Sequence, residues 1–136
     1  GKIMYEPKMI VWHHRRKGLI KHLKQIGAYG LNRGFFAKKY PYNSFKFKYF
    51  LPSAFVIFSA VSLFYLLLPK ILQNIIVLGW FAYLISLVLG VFEILKYEKA
   101  LVALTAILFT LPTHFYYGIN FMYGYLFKKK IISKLN

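Results

Sequence analysis

The chain has 136 residues and 19 Lys and Arg against 3 Asp and Glu, which gives a net charge of +16; it is 59% hydrophobic, 21% aromatic and free of cysteine. Soluble domains average about 45–50% apolar and about 25% charged residues, so a chain with 16% charged residues, nearly all basic, points to lipid. Fourteen Phe and 12 Tyr exclude a disordered basic tail, and the lack of cysteine excludes a disulfide scaffold or thiolate metal site. The length allows one domain. Glu6, Glu93 and Glu98 are the only carboxylates and there is no Asp. Paired-carboxylate hydrolysis, a Ser-His-Asp triad, an Asp-rich metal-diphosphate site and an EF-hand therefore lack their residues.

In chain order, Lys2–Tyr5 and Met9–Trp12 are expected as short strands around a Glu6-Pro7-Lys8 turn. Two strands alone are marginal in water, so they are expected to be the edge of a larger sheet whose remainder lies outside this sequence. Trp12-His13-His14-Arg15-Arg16 follows at the strand end. His13, His14, Arg15 and Arg16 could receive a diphosphate or a metal-bound phosphate, since Arg offers a planar fork of donors and His can ligate or donate. The same residues equally suit a basic membrane-surface patch. No zinc site is expected, because the chain has four His and no other soft ligand.

From about Arg16 to Gly34 the pattern is helical. Leu19, Leu23, Ile26 and Gly30 form an apolar stripe, and Lys17, Lys21 and Lys24 lie opposite. His22, Gln25, Tyr29 and Arg33 share a third face. An apolar stripe beside a lysine face is the pattern of a helix in the membrane interface. Gln25, Tyr29 and Arg33, at i, i+4 and i+8, would suit sugar hydroxyls and a leaving phosphate, or else form a solvated face. Gly27, Gly30 and Gly34 each cost about 1 kcal/mol of helix stability. Either they permit close packing beneath the spans, or the helix ends at Gly27.

Residues 1–48 hold 12 of the basic residues, whereas Tyr49–Phe127 hold three. Phe50–Leu68 is uncharged and reads as a first span, and Ile71–Phe92 as a second. A polar turn, Glu93–Lys99, separates them from Ala100–Phe127, which carries Pro112, His114 and Asn120 and is expected to kink or re-enter near Pro112. His114 and Asn120 are polar groups at membrane depth, costly there unless functional, although His114 among aromatic neighbours also fits the interface. Lys128-Lys129-Lys130 reads as a headgroup anchor.

Taken together, Gly1–Pro7, Val11–Arg16, Lys24-Gln25 with Tyr29-Gly30 and Arg33, Tyr40-Pro41, Leu51-Pro52, and His114 with Tyr117–Phe121 and Gly124 resemble, in order, the C-terminal part of membrane family 2 glycosyltransferases of the succinoglycan-biosynthesis type. The resemblance spans nearly the whole chain. It implies a mainly α membrane protein with edge strands of a truncated GT-A sheet, an amphipathic interface helix and about three transmembrane helices, the last kinked or re-entrant. The implied divisions are 1–15 (end of the GT-A domain), 16–48 (basic interface helix and linker), 49–127 (transmembrane region) and 128–136 (basic tail). It also implies that His13, His14, Arg15 and Arg16 lie on the donor-diphosphate side and that Gln25, Tyr29 and Arg33 flank an acceptor channel. The nucleotide sugar, a divalent Mg or Mn and the catalytic base would be handled upstream, so that this chain holds no catalytic residue, no cofactor and no metal of its own unless His13 or His14 ligates one. No Arg-Trp pair follows Gln25, which favours single-sugar transfer to a lipid-linked or polysaccharide acceptor over processive extrusion. The implied partners are membrane lipids and not nucleic acid, with residues 1–48 cytoplasmic by the excess of Lys and Arg. The alternative is a non-catalytic small basic membrane protein, a scaffold or complex subunit.

Overall fold

A computed structural model describes residues 18–130, and these residues are mainly helical, with no strand among them. The edge strands expected at 2–5 and 9–12 lie outside the described residues. The helices are α1 (Leu19–Lys39), the single turn α2 (Pro41–Ser44), α3 (Leu51–Ser62), α4 (Lys70–Leu95) and α5 (Ala100–Leu126).

Helix α1 overruns its expected end at Gly34 by five residues. It stops at Tyr40, whose φ of −131° and ψ of 65° lie outside the α region that the following Pro41 disfavours. Lys38 and Lys39 in its last turn complement the negative end of the helix dipole. The helix does not end at Gly27, because its glycines are the points where α5 comes in. A Cβ on Gly30 would lie 2.6 Å from the Tyr117 carbonyl oxygen, one on Gly34 would collide with the Phe121 carbonyl, and one on Gly124 of α5 would collide with the Leu31 carbonyl. The contacts advance together along both chains, from Gly27 against Tyr116 to Gly34 against Phe121 and Tyr125, so the two helices run parallel. Small residues that let two backbones touch are the usual device for packing helices where the hydrophobic effect is weak.

Close packing through the glycines is the first of the two outcomes expected for them, and Gly30 of the expected apolar stripe lies in the contact. The buried residues of α1 are Gly27, Gly30, Gly34, Phe35 and Ala37, while Leu19, Leu23 and Ile26 are only partly covered. Hydrophobicity marks an apolar stripe, but the closest approach selects the residues with the least side chain.

Three transmembrane helices were expected, and two helices are long and apolar enough to cross a membrane: α4, with mean hydropathy 2.5, and α5, with 1.4. At ~1.5 Å per residue they are about 39 and 40 Å long. The apolar segment 50–68, expected as the first span, forms only the 12-residue α3, about 18 Å long against a hydrocarbon core of about 30 Å. Beyond Ser62 the chain turns through a 3-10 segment, Tyr65–Leu67, and Leu68 is extended before Pro69. Ser59 and Ser62 donate back to the carbonyls of Phe55 and Phe58, bonds that compete with the helical ladder at its end.

The re-entrant bend, one of the two outcomes expected at Pro112, does not occur, because α5 stays helical from Ala100 to Leu126 with Pro112 inside it. Pro112 removes one N–H, yet the flanking Thr110 and Thr113 hydroxyls bond the Ala106 and Phe109 carbonyls, and α1 and α3 clamp the helix from Thr113 onward. Helix α3 crosses α5 in the opposite sense: Phe50 packs on Phe121 and Tyr125, buried Ser53 donates to the Gly118 carbonyl at 3.1 Å, and Phe55 meets His114 and Phe115. Helices α4 and α5 form a hairpin in which Tyr83 and His114, nearly equidistant from the connecting turn, face each other. Only 6% of the apolar window of either long helix is buried within the chain. Their apolar faces are left bare by the other described residues, unlike those of a core helix in a compact domain.

Candidate functional site

The outer face of α1 holds two of the three expected acceptor-side residues together. The Gln25 amide donates to the Tyr29 hydroxyl at 3.0 Å across one helical turn. Arg33 leaves this pair, and its guanidinium lies 3.9 Å above the Tyr49 ring in the short turn before α3. A stacked guanidinium keeps its in-plane N–H edges available while its orientation is fixed. The face therefore carries a joined amide and phenol, and separately an oriented fork. Tyr49 is a partner that sequence reasoning missed, since nothing in its spacing connects it to Arg33.

Deeper in the bundle two imidazoles occupy the junction of α1, α4 and α5. Thr113 donates its only hydroxyl proton to the Phe109 carbonyl at 2.6 Å. Its oxygen, 3.3 Å from His22 Nε2, keeps lone pairs that can accept from that nitrogen. His114 Nδ1 lies 3.4 Å from the Tyr83 hydroxyl, and its ring packs among Phe55 and Tyr83. A cavity of about 380 Å³ is lined by His22, Thr110, Thr113 and His114 with Ala106 and Phe109. A second, of about 260 Å³, lies against Leu51, Pro52, Phe55, Tyr83 and again His114. His114, singled out from sequence, thus stands between two cavities, whereas Tyr83 carried no signal within its apolar run. Asn120 is used in packing, donating to the Tyr116 carbonyl at 2.7 Å beside the bare Cα of Gly27.

His13, His14, Arg15 and Arg16, the expected donor-diphosphate group, lie outside the described residues. Among the described residues no three His, Cys, Asp or Glu side chains gather as a metal site would require. Glu93 is paired with Lys96 at 2.6 Å on an exposed turn, remote from the His114 cavities, and Glu98 follows in that turn. The described residues can therefore bind and orient a polar ligand, but they bring no carboxylate to it.

At the far end of α1 and α5 the lysines are structural as well as electrostatic. Lys38 Nζ donates to the Leu126 carbonyl at 3.2 Å, satisfying a terminal acceptor of α5, and Lys128 Nζ donates to Asn32 Oδ1 at 2.8 Å. Lys128 thus ties the two helices together in addition to any role toward lipid. Comparison of the chain with family models, curated proteins and solved structures found no match.

Proposed function

We propose that the chain is the membrane and acceptor-side part of an inverting family 2 glycosyltransferase, transferring a sugar from a nucleotide sugar to a lipid-linked or polysaccharide acceptor at the cytoplasmic face. The observation that carries this reading is the docking of a basic helix, outer face intact, along an apolar helix that leaves its own surface for lipid. A sugar acceptor anchored in lipid has to be met at such a boundary, by groups that hydrogen-bond hydroxyls and fork onto phosphate. Gln25 with Tyr29 and Arg33 over Tyr49 are of those types. The donor nucleotide sugar, its Mg or Mn and the base belong to a preceding GT-A domain in this reading, with His13, His14, Arg15 and Arg16 on the diphosphate side.

A non-catalytic subunit is the second reading, favoured by the distance of Glu93 and Glu98 from the polar cavities and by the bare apolar sides of α4. The encoding DNA upstream of Gly1 separates the two. An open frame with Asp-x-Asp and Glu-Asp motifs, whose full product labels a lipid extract from a radioactive nucleotide sugar, is the expected result. A stop codon directly upstream, or a full product that transfers nothing from any nucleotide sugar, would leave the subunit reading.

A further inference from the structure

Parallel packing puts the C-terminal ends of α1 and α5 side by side, and each carries lysines. Lys38 and Lys128 are engaged in joining the helices. Lys39, Lys46, Lys48, Lys129 and Lys130 remain, and none makes a hydrogen bond or ion pair among the described residues. Lys46 and Lys48 belong to this end because Phe45 packs on Phe50, and Phe50 on Tyr125. Both described carboxylates stand at or before the opposite end of α5, which is about 40 Å long at ~1.5 Å per residue. Several like charges are thus gathered with no counter-charge among the described residues within a Debye length of about 8–10 Å.

Aromatic residues alternate with these cations along the chain. Tyr42 is 100% exposed, and Phe45, Phe47 and Phe127 are exposed as well. A polyanion without bases would reward the lysines and leave the phenyl rings in water, whereas a headgroup layer beside the apolar α4 and α5 accepts both, the rings at the level of the glycerol backbone and the ammonium groups among the phosphates.

We propose that this end of the molecule is a selective docking surface for anionic phospholipid headgroups, formed jointly by the 39–48 connection and the Lys129-Lys130 segment. It rests on the bilayer part of the reading above, and adds that retention has a charge-selective component distinct from the apolar helices. Lys21 and Lys24, on the outer face of α1 near its other end, lie outside this surface.

The test reconstitutes the full chain in phosphatidylcholine nanodiscs that contain spin-labelled phosphatidylglycerol or spin-labelled phosphatidylcholine, and measures the motionally restricted fraction of each. The expected preference for phosphatidylglycerol is about 5-fold, the factor that corresponds to ~1 kcal/mol for one lysine near an anionic leaflet. It should fall toward unity at 1 M salt, where screening acts within about 3 Å. The variant K39Q/K46Q/K48Q/K129Q/K130Q should lose the preference, while K21Q/K24Q keeps it. The salt titration of the unaltered chain tests the charge dependence without any substitution. No preference in the unaltered chain, a preference indifferent to salt, or equal loss in K21Q/K24Q would overturn the proposal. A labelled oligonucleotide whose binding is abolished by the five substitutions while the lipid preference persists would assign the surface to nucleic acid instead. A chain that enters neither bilayer would refute the membrane reading itself, whereas one that enters both without preference refutes only the selective surface.

Discussion

Replacing Gly30 by alanine tests the closest feature of the fold, and its sign is opposite to what helix propensity alone gives. Alanine in a helix interior is favoured over glycine by about 1 kcal/mol. At Gly30, however, the new Cβ would lie 2.6 Å from the Tyr117 carbonyl oxygen, which is backbone and cannot rotate away. Restoring ordinary contact requires α1 and α5 to separate by about 0.8 Å, and a gap of that size forfeits a quarter to a half of the dispersion well for the atoms lining it. Overpacking of this kind costs about 1–3 kcal/mol. The separation also strains the Lys38 and Lys128 bonds and the seat of Phe121, which is 1% exposed. Gly90 in α4 is the internal control, since a Cβ there meets nothing within 4 Å and should stabilise by about 0.5–1 kcal/mol. The two alanine variants are expected to differ by about 2 kcal/mol, roughly 30-fold in the unfolding constant. Unfolding in mixed micelles by added SDS, followed by tryptophan fluorescence, measures the difference. If Gly30→Ala stabilises as much as Gly90→Ala, α1 and α5 do not touch through their backbones and the parallel packing is wrong.

Other expectations are narrower. Ser53→Ala removes the donor from a buried bond to the Gly118 carbonyl and should cost about 1 kcal/mol, measured by the same unfolding assay, with Ser53→Thr costing more because the added methyl meets the α3–α5 contact. Trp80→Phe breaks the indole bond to Ser62 at 3.1 Å and should loosen the α3–α4 crossing, seen as faster hydrogen exchange at 59–65, and unchanged exchange there would contradict the contact. In the full glycosyltransferase of the proposed reading, Arg33→Lys should cost as much turnover as Arg33→Ala, because lysine has no planar fork to stack on Tyr49, and full activity in the lysine variant would remove Arg33 from the acceptor site. The chain by itself should transfer no sugar from any nucleotide sugar, and turnover by the purified chain would refute the division of labour proposed here.

What could be read from sequence was what rests on composition and on local pattern. The long apolar run of α4 is unambiguous because nothing between Ile71 and Phe92 is charged, and the basic helix followed from its lysine spacing. The run at 50–68 misled because hydropathy counts residues and not turns. Segment 63–69 is as apolar as a span, yet Pro69 and the back-bonding serines end the helix after 12 residues. Pro112 does not turn the chain back, since a proline inside a helix that is packed on both sides costs one backbone bond without ending the helix, and the packing from Thr113 onward is not visible in the local sequence. The glycines of α1 were visible as a cost, but their use depends on α5, some ninety residues away, and no periodicity links Gly34 to Phe121. His114 stood out because an imidazole in an apolar run is rare, while Tyr83 and Tyr49 are aromatic residues among many and become informative only beside their partners.

The parallel arrangement also explains why one chain needs both a glycine-lined helix and a lysine-rich one, and meets the need with a single element. A helix that must lie against an apolar neighbour while facing water or headgroups usually buries leucines, and the result is an inter-axis distance of 8–10 Å with a wide apolar stripe. Here the buried residues are Gly27, Gly30, Gly34, Phe35 and Ala37, four of the five small, so α1 seats on α5 largely through its backbone and leaves its outer face for Gln25, Tyr29, Arg33 and the lysines. The cost is about 1 kcal/mol of helix propensity per glycine, offset by backbone contact along the shared length and by the Lys38 and Lys128 bonds at the far end. A substitution that improves α1 as an isolated helix should therefore weaken its seat on α5.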